Sequence, residues 1–318
     1  MTELEDHVTV CVPVYNGGGF VEETLETIRR QTHSNFQVLI SVDRSTDDSI
    51  DVCRSFLADS RFRLVEHERH LGWVDNANWL QERVETEYSF LLPHDDLIDE
   101  SYIERLLAMA KAHPRAAVVY SDIQTFGLPT DTVLAQHSIH GTLLTRVVTY
   151  LMEHYNAVAW RGLMRLDALR AAARMDHNEV GDFAAETVWL FKIAKQGEFL
   201  RVAEPLYRKR YWAGSVHSRW MDHNRQERIR VWREHCLALA REALIGDFTS
   251  GVKLMILEAL TQRLVRANPQ MGPFCEISEL SEKERNDQLT DFLSGLGEAI
   301  GPENARVLAA ERRLREPP

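Results

Sequence analysis

The chain of 318 residues is long enough for one large domain with a sizeable core or for two smaller ones. Its composition, 44% hydrophobic and 27% charged, is that of a globular protein and excludes a disordered chain. The formal net charge of -11 argues against general binding of nucleic acid, because the phosphate backbone repels an acidic surface.

The amino terminus and the cysteines indicate where the protein works. Residues 1–6 are acidic and lack the basic and then apolar order of a secretory signal, and no uninterrupted apolar run reaches ~18 residues. We therefore expect no transmembrane segment and a cytoplasmic location, which includes the inner face of the membrane. The four cysteines are widely scattered, so we interpret them as reduced and mostly structural.

Strand and helix patterns alternate in the first part of the chain. Residues 8–14 and 37–42 are apolar runs rich in β-branched residues, and between them a helical pattern follows a glycine run at 17–19. Further helices are predicted at 47–58, 73–84 and 100–112, with strands at 62–66, 88–92 and 116–121. This alternation predicts an α/β fold, in which helices cover both faces of a mostly parallel sheet.

The pattern becomes less regular after about residue 145. Helices are predicted at 161–173 and 184–196, and from about residue 220 onward the chain reads as helical with little strand signal. We therefore predict an α/β domain over residues 1–219 and a helical region over residues 220–318. The helices of the second region offer a surface for a homodimer.

Polar clusters follow three of the predicted strands. In open parallel sheets, ligands bind beyond the carboxyl ends of the strands, so these clusters are the first candidates for a binding site. They are Pro13-Val14-Tyr15-Asn16, Asp43-Arg44-Ser45-Thr46-Asp47 and His94-Asp95-Asp96.

Taken in order, the clusters resemble glycosyltransferase family 2, whose members have a GT-A fold. The resemblance covers residues 8–212 and is carried by four segments: VCVPVYNGGGF, SVDRSTDDS where the family has VDDGSTDDS, HLGWVDNAN, which is similar to N-x-G-x-x-x-A-x-N, and YSFLLPHDDLI. It implies inverting transfer of a sugar from a nucleoside-diphosphate sugar to an acceptor hydroxyl, with a role in surface-glycan biosynthesis.

The resemblance implies a nucleotide site around Asp43. The segment after Pro13 would approach the nucleotide, and the Asp43 carboxylate would accept N–H groups of the base. Asp-Ser-Thr clusters also cap turns and helices, and for Asp47 we favour that structural role. Arg44 stands where the family has glycine, so the loop either runs differently or offers a cation to the diphosphate.

Two further positions match the family's nucleotide-binding segment. Gly72 would let the backbone come close to the nucleotide, and Asn78 would lie one turn into the following helix. A glycine before a helix is also an ordinary loop feature. The donor base stays open, with a UDP-sugar as the default.

The family's metal-binding motif corresponds to the segment around Asp95. Carboxylate oxygens suit Mg²⁺ or Mn²⁺, which would neutralise charge on the departing diphosphate. The family's first aspartate is Pro93 here, so Asp95 is the expected ligand, with Asp96 as a second and His94 contacting metal or phosphate. The alternative is that both aspartates cap the next helix.

The family's catalytic base lies in an E-D-x-x-L-x-x-R pattern before a glycine-terminated helix. Counting back from Gly197 gives Glu186 as the base, with Ala185 in place of its acidic neighbour. Asp182, one helical turn earlier, is the reserve candidate. An acidic residue in a first helical turn is often only favourable dipole chemistry.

Basic residues further along the chain complete the expected site. The segment AEPLYRKRYWAGSVH resembles the part of the family chain that returns over the active site, where Arg208, Arg210 or His217 would meet phosphate or metal. For Arg208 the alternative is a solvated strand edge. The acceptor is a glycan, a lipid-linked glycan or a small molecule.

Two other functions are consistent with parts of the sequence. A nucleotidyltransferase shares the α/β nucleotide site, but the residues after the glycine run at 17–19 include no basic phosphate-binding side chain. A non-catalytic nucleotide-sugar or glycan binder is the second alternative, because Arg44, Pro93 and Ala185 depart from the family pattern. A Rossmann dehydrogenase is excluded by the lack of G-x-G-x-x-G after the first strand.

Overall fold

The computed structural model describes residues 6–127, 132–213, 223–244, 248–265 and 280–302. The strands are β1 (Val8–Val14), β2 (Phe36–Val42), β3 (Phe62–Glu66), β4 (Tyr88–Leu91), β5 (Leu97–Ile98), β6 (Ala116–Phe126), β7 (Val133–Leu134), β8 (Leu163–Arg165) and β9 (Glu198–Arg210). The helices are α1 (Val21–Arg29), α2 (Ser49–Ser55), α3 (Trp73–Gln81), α4 (Tyr102–Ala112), α5 (Leu143–Glu153), α6 (Leu166–Ala172), α7 (Ala185–Ala194), α8 (Arg225–Leu244), α9 (Ser250–Val265) and α10 (Glu282–Ile300).

The strands form one mixed sheet in the order β3-β2-β1-β4-β8-β6-β9-β5, with β7 paired to β6. Strands β1 to β4 run parallel, and β6 and β9 form a second parallel pair. Between these two groups lies β8, which is antiparallel to both β4 and β6. The fold is the predicted α/β arrangement of a mostly parallel sheet flanked by helices, followed by C-terminal helices.

The first two strands are buried along most of their length and lie inside the sheet, between β3 and β4. β1 and β2 contribute side chains that are fully buried at almost every position, as expected for strands covered on both faces. Helix α1 packs Leu25 and Ile28 into the same core, while Glu22 and Glu23 remain exposed in its first turn. The carboxyl ends of β1, β2 and β4 therefore come together at one edge.

The predicted helix at 161–173 is only partly right. Residues Val158–Arg161 form a 3-10 turn, Leu163–Arg165 form β8, and the α-helix begins at Leu166. Leucine, methionine and arginine favour helices locally, but pairing with β4 and β6 buries this segment as a strand. Tertiary pairing therefore overrides the local helix preference.

The chain divides into two compact units that differ from the predicted domains. The first comprises residues 1–140, 157–176 and 196–213, and the second comprises residues 141–156, 177–195 and 214–318. The second unit thus includes α5 and α7 together with the C-terminal helices. The predicted division at residues 219 and 220, and a homodimer through these helices, stay predictions.

The cysteines that the structure describes lie in the core. Cys11, Cys53 and Cys236 are free and buried, and burial raises the pKa of each thiol to about 12. Cys275 lies outside the described residues. Within the described ranges, no helix combines the length and apolarity that crossing a bilayer requires.

Candidate active site

The loops after β1 and β2 are joined by hydrogen bonds. The Asn16 backbone N–H donates to Ser45 Oγ over 3.0 Å, and the Asn16 side-chain oxygen accepts from the Thr46 N–H over 2.8 Å. At the strand ends, the Asp43 N–H donates to the Val14 carbonyl. Two of the predicted clusters therefore form one continuous rim.

The Asp43 carboxylate is buried beneath this rim and holds the loop before α3. It accepts the backbone N–H of Leu71 over 2.6 Å and that of Gly72 over 2.9 Å. His70 Nδ1 lies 3.0 Å from the same carboxylate. A carboxylate offers about four lone-pair sites, so these contacts leave capacity for a ligand N–H. That Asp43 accepts a hydrogen bond from the nucleotide base stays a prediction.

Two residues near Asp43, one that differs from the family pattern and one that matches it, have positive φ angles. Arg44 has a φ of 48°, in the left-handed region where the family has glycine, and its side chain is exposed. The loop thus keeps the conformation that glycine would favour, at a steric cost. Gly72 has a φ of 86°, which explains glycine at that position.

The exposed aromatic side chain of Tyr15 packs on His70, which in turn contacts Asp43. The rings of Tyr15 and His70 are 4.3 Å apart between centroids, and Tyr15 is 41% exposed. His70 therefore connects the buried carboxylate to an aromatic face at the surface. Such a face can stack on a planar ring next to a hydrogen-bond acceptor.

Asn78 is a structural clamp in this fold. Its side-chain amide donates to the Met175 carbonyl over 2.9 Å and accepts from the Met175 N–H over 2.8 Å, and the residue is buried. The amide therefore pairs with both backbone polar groups of Met175, which follows α6. The predicted contact of Asn78 with nucleotide stays a prediction, but its main partner is the backbone.

Replacing Asn78 with alanine should lower the free energy of unfolding by about 2 kcal/mol or more, because both polar groups of Met175 lose their buried partner. Urea denaturation followed by circular dichroism measures this loss. Gln81→Ala on the same helix is the matched control and should change the stability little. Equal stability of the two variants would contradict the clamp.

The turn after β4 is fixed from α1 and β1. Thr24 Oγ1 lies 2.7 Å from the His94 carbonyl and 2.9 Å from the Asp96 carbonyl. His94 Nδ1 lies 3.3 Å from the Pro13 carbonyl, which can only accept, so Nδ1 carries the proton. In the neutral ring Nε2 then presents a lone pair, and it is buried with no hydrogen-bond partner among the described residues.

Glycine at position 17 is required by the His94 ring. A Cβ atom built on Gly17 would lie 2.2 Å from the imidazole Cδ2, well inside van der Waals contact. The ring therefore packs directly against the loop backbone after β1. This contact brings the first and third predicted clusters together.

Asp96 is the buried member of the aspartate pair and is 2% exposed. One oxygen accepts the Arg210 backbone N–H over 2.9 Å, and the other accepts the Tyr207 hydroxyl over 2.8 Å and Arg161 Nε over 3.2 Å. Burial raises the pKa of Asp96, and the charge of Arg161 opposes that rise. Both oxygens of Asp96 thus accept hydrogen bonds from protein groups, and its predicted role as a metal ligand stays a prediction.

Asp95 is the better placed carboxylate for a cation. Its Oδ2 accepts the Trp212 indole N–H over 2.7 Å, which leaves Oδ1 for a further contact. In the part of the chain that the structure describes, no three His, Cys, Asp or Glu side chains group as a protein-only metal cage. Mg²⁺ at phosphates usually takes one or two carboxylates plus phosphate oxygens, so Asp95 fits that demand.

The end of β9 contacts the turn after β4, in the part of the chain where the resemblance places a segment that returns over the active site. Arg210 Nε donates to the Asp95 carbonyl over 3.0 Å, and its guanidinium pairs with Glu23 at 2.5 Å. Arg208 is exposed and lies over the Phe126 ring. His217, the other predicted cation, lies outside the described residues.

The candidate bases lie in the second unit. Glu186 is half-buried in the first turn of α7, and Asp182 lies in the loop before that helix. The Asp182 carboxylate is 3.0 Å from His177 Nδ1 and accepts the Asn178 N–H over 3.0 Å. Asp182 therefore organises its own loop, whereas Glu186 is carried by a helix.

The sequence analysis did not identify the residues that bind Asp96 and so fix the turn after β4. Arg161 and Tyr207 bind Asp96, but Arg161 lies outside the family-like segments, and in AEPLYRKRYWAGSVH only the basic residues were predicted to act. A usable signal was present for Arg161, since it is a lone cation in the apolar run VAWRGLM. Buried cations of this kind need an acidic partner.

Comparison with known families decides the classification. A family model described as "Glycosyl transferase family 2" matches residues 9–174, which is more than half of the chain. The chain belongs to glycosyl transferase family 2. The resemblance drawn from the sequence motifs is thereby confirmed.

Curated relatives match over part of their length. Glycosyltransferase GlyG of Streptococcus pneumoniae is 34% identical over 107 residues, which cover 33% of this chain and 35% of GlyG. The putative teichuronic acid biosynthesis glycosyltransferase TuaG of Bacillus subtilis is 28% identical over 134 residues, which cover 41% of this chain and 53% of TuaG. The matched part of the chain thus spans about a third to a half of the length of these two relatives.

A solved structure supports the fold over nearly the whole chain. TarS 1-349 of S. aureus, in complex with UDP-GlcNAc, superimposes with a TM-score of 0.69 at 16% identity. The superposition covers 96% of this chain and 92% of the TarS chain. The family 2 protein therefore has the predicted GT-A fold.

Proposed function

We propose that this family 2 protein is an inverting glycosyltransferase that uses a UDP-sugar donor. The proposal is carried by one observation, the convergence of the Asp43 loop, the Tyr15 ring and the Asp95 turn at the carboxyl ends of neighbouring strands. The UDP-GlcNAc complex of TarS supports UDP as the nucleotide. The alternatives of a nucleotidyltransferase and a non-catalytic binder are outcomes of the test below.

The nucleotide half of the donor fits the rim around Asp43. Tyr15 supplies an exposed aromatic face for the base, and the buried Asp43 carboxylate supplies an acceptor for a ring N–H. Pro13, Val14 and Asn16 line the same strand end, where backbone groups can approach the ribose or diphosphate. Arg44, exposed at the adjacent turn, is a cation for the diphosphate.

A divalent cation completes the proposed donor site. Asp95 would hold Mg²⁺ or Mn²⁺ through its remaining carboxylate oxygen, with the Nε2 lone pair of His94 as the neighbouring nitrogen ligand. When bound, such an ion neutralises charge on the leaving diphosphate. Asp96 would support this site by fixing the turn and not by binding the ion.

The proposed transfer is a single displacement. The acceptor oxygen forms a bond to the anomeric carbon while the bond from that carbon to the diphosphate oxygen breaks. The hydroxyl proton goes to the Glu186 carboxylate, with Asp182 as the reserve base, and UDP carries away the electron pair. The configuration at the anomeric carbon is inverted because attack and departure occur on opposite faces.

We propose a surface polysaccharide or its lipid-linked precursor as the acceptor. The name of TuaG, which refers to teichuronic acid biosynthesis, supports this class for the family relative. Small-molecule acceptors remain an alternative outcome. A cytoplasmic location at the inner face of the membrane stays a prediction.

The donor proposal is tested by thermal shift with UDP, GDP and dTDP, each with and without Mn²⁺. We expect UDP with Mn²⁺ to raise Tm the most, because a ligand that binds only the folded state stabilises it. Asp95→Ala should remove the part of the shift that depends on Mn²⁺. The control Asp51→Ala changes an exposed carboxylate on α2 that pairs with Arg54 and should leave the shift intact.

The same proteins are then assayed for products with UDP-sugars and glycan acceptors. UDP release together with an inverted glycoside is expected from the wild type. Pyrophosphate release would instead indicate a nucleotidyltransferase. UDP-sugar binding without any turnover would indicate a binder, and no nucleotide shift at all would contradict the proposal.

A further inference from the structure

The second unit contains a buried arginine with an unusual set of partners. Arg263 on α9 is 0% exposed, and no carboxylate among the described residues pairs with it. Its guanidinium lies 4.4 Å from the centroid of the Tyr155 ring and 5.3 Å from that of Trp232. Burying a guanidinium is costly, so its hydrogen bonds are expected to matter.

Those hydrogen bonds end at the last turn of α5. Arg263 Nη1 donates to the Leu151 carbonyl over 3.0 Å and to the His154 carbonyl over 3.1 Å. The final carbonyls of a helix lack partners within the helix and carry its negative dipole end. The arginine therefore fixes the C-terminal turn of α5.

Tyr150, in the same turn of α5, links this helix to α7. Its hydroxyl donates to the Thr187 carbonyl over 2.6 Å. Its ring stacks on His154 with centroids 5.5 Å apart and meets Phe191 edge-on at 5.5 Å. Because Thr187 follows Glu186 in the first turn of α7, this bond holds the backbone beside the candidate base.

A second route leads to the loop that carries Asp182. Arg263 Nη2 lies 3.4 Å from His235 Nε2, and burial lowers the pKa of His235 well below its ordinary value. The neutral ring therefore accepts at Nε2. Its edge packs on Phe183, with centroids 6.1 Å apart, next to Asp182.

We propose that Arg263 and Tyr150 are positioning residues for the catalytic base, so that the C-terminal helices set the orientation of α7. This inference rests on the proposed function, because Glu186 needs a task to be positioned for. Neither residue is expected to touch substrate. A misplaced base costs rate without weakening donor binding, since proton transfer requires close geometry.

The test compares Tyr150→Phe, Arg263→Lys and Arg263→Gln, with Arg233→Gln as the matched control. Arg233 pairs with Asp291 in the same helical unit and is a partly buried arginine, and among the described residues its ion pairs are with Asp291 and Glu234, neither of which lies on α5. Tyr150→Phe keeps the ring and removes only the hydroxyl, so it stays informative if the Arg263 variants fold poorly. UDP release from UDP-GlcNAc and amide hydrogen exchange at residues 185–188 are measured on each.

We expect Tyr150→Phe to lower kcat about tenfold with KM for UDP-GlcNAc within about twofold of the wild type. Arg263→Gln should lower kcat further, and Arg263→Lys should recover part of the loss. Exchange at residues 185–188 should rise in the impaired variants and stay unchanged in Arg233→Gln. The Tyr150→Phe, Arg263→Gln double variant should lose less than the product of the single losses, because both act on one path.

Two results would overturn the inference while leaving the proposed function intact. One is a folded Tyr150→Phe protein with the wild-type kcat. The other is a kcat loss matched by an equal loss in Arg233→Gln, which would indicate general destabilisation. A wild type that binds no UDP-sugar and releases no UDP would remove the proposed function itself, and this inference with it.

Discussion

Asp96→Ala should destabilise the protein by about 3–5 kcal/mol, the cost of leaving a buried ion without its partner. The substitution removes the acceptor of the Arg161 guanidinium, the Tyr207 hydroxyl and the Arg210 N–H together. Arg161 would then keep its charge in a site where its side chain is 13% exposed. Chemical denaturation of the purified variant measures the loss.

A second substitution shows whether the stability loss in Asp96→Ala comes from the unpaired buried charge of Arg161 or from a general disruption of packing. Arg161→Met in the Asp96→Ala background should restore part of the stability, because removing both ions avoids the desolvation penalty. Asp95→Ala is the neighbouring control and should change the free energy of unfolding by less than about 1 kcal/mol. If Asp96→Ala and Asp95→Ala are equally stable, the buried network does not support the turn.

Glu186→Gln should lower kcat about 10²–10⁴-fold, the usual contribution of a general base. The amide preserves the size of the side chain in the first turn of α7 but cannot take the acceptor proton. The affinity for UDP, measured by titration calorimetry, should stay unchanged because the base acts on the acceptor. A steady-state assay of UDP release gives kcat.

Asp182→Asn distinguishes the two candidate bases. It weakens the contact with His177 and should reduce kcat less than about tenfold if Asp182 only organises its loop. A large loss in Asp182→Asn, with Glu186→Gln nearly active, would transfer the role of base to Asp182. Near wild-type activity in both variants would exclude a carboxylate base at either position.

The first half of the fold could be predicted because its local signals agree with its packing. The β-branched runs at 8–14 and 37–42 became β1 and β2 within one residue of the predicted bounds. The prediction of a helix at residues 163–165 was wrong because a three-residue strand has too few side chains to show the alternation with period two that identifies a strand. Its conformation is decided by β4 and β6, which the local sequence does not encode.

The sequence predicted where the polar clusters of the candidate site lie, but not which partners the individual side chains bind. Strand-end polar residues located the rim around Asp43 and the turn at Asp95, because parallel strands deliver their ends to one edge. Which aspartate of the pair is buried depends on Arg161 and Tyr207, which are distant in sequence. Likewise, the partners of Asn78 are the backbone N–H and carbonyl of Met175, and no motif predicts a side-chain to backbone contact of this kind.

The grouping of α5 and α7 with the C-terminal helices bears on how the protein can be shortened. A fragment ending at residue 219 would keep both helices but lose the chain that covers them, including Arg263 over the end of α5 and Glu242 beside Lys195. Helix α7, which carries the fully buried Trp189 and Phe191, packs against α8, so we expect the loss of α8 to expose apolar surface. Such a fragment should aggregate on expression, so biochemical work on the sheet requires a polypeptide that keeps the C-terminal helices.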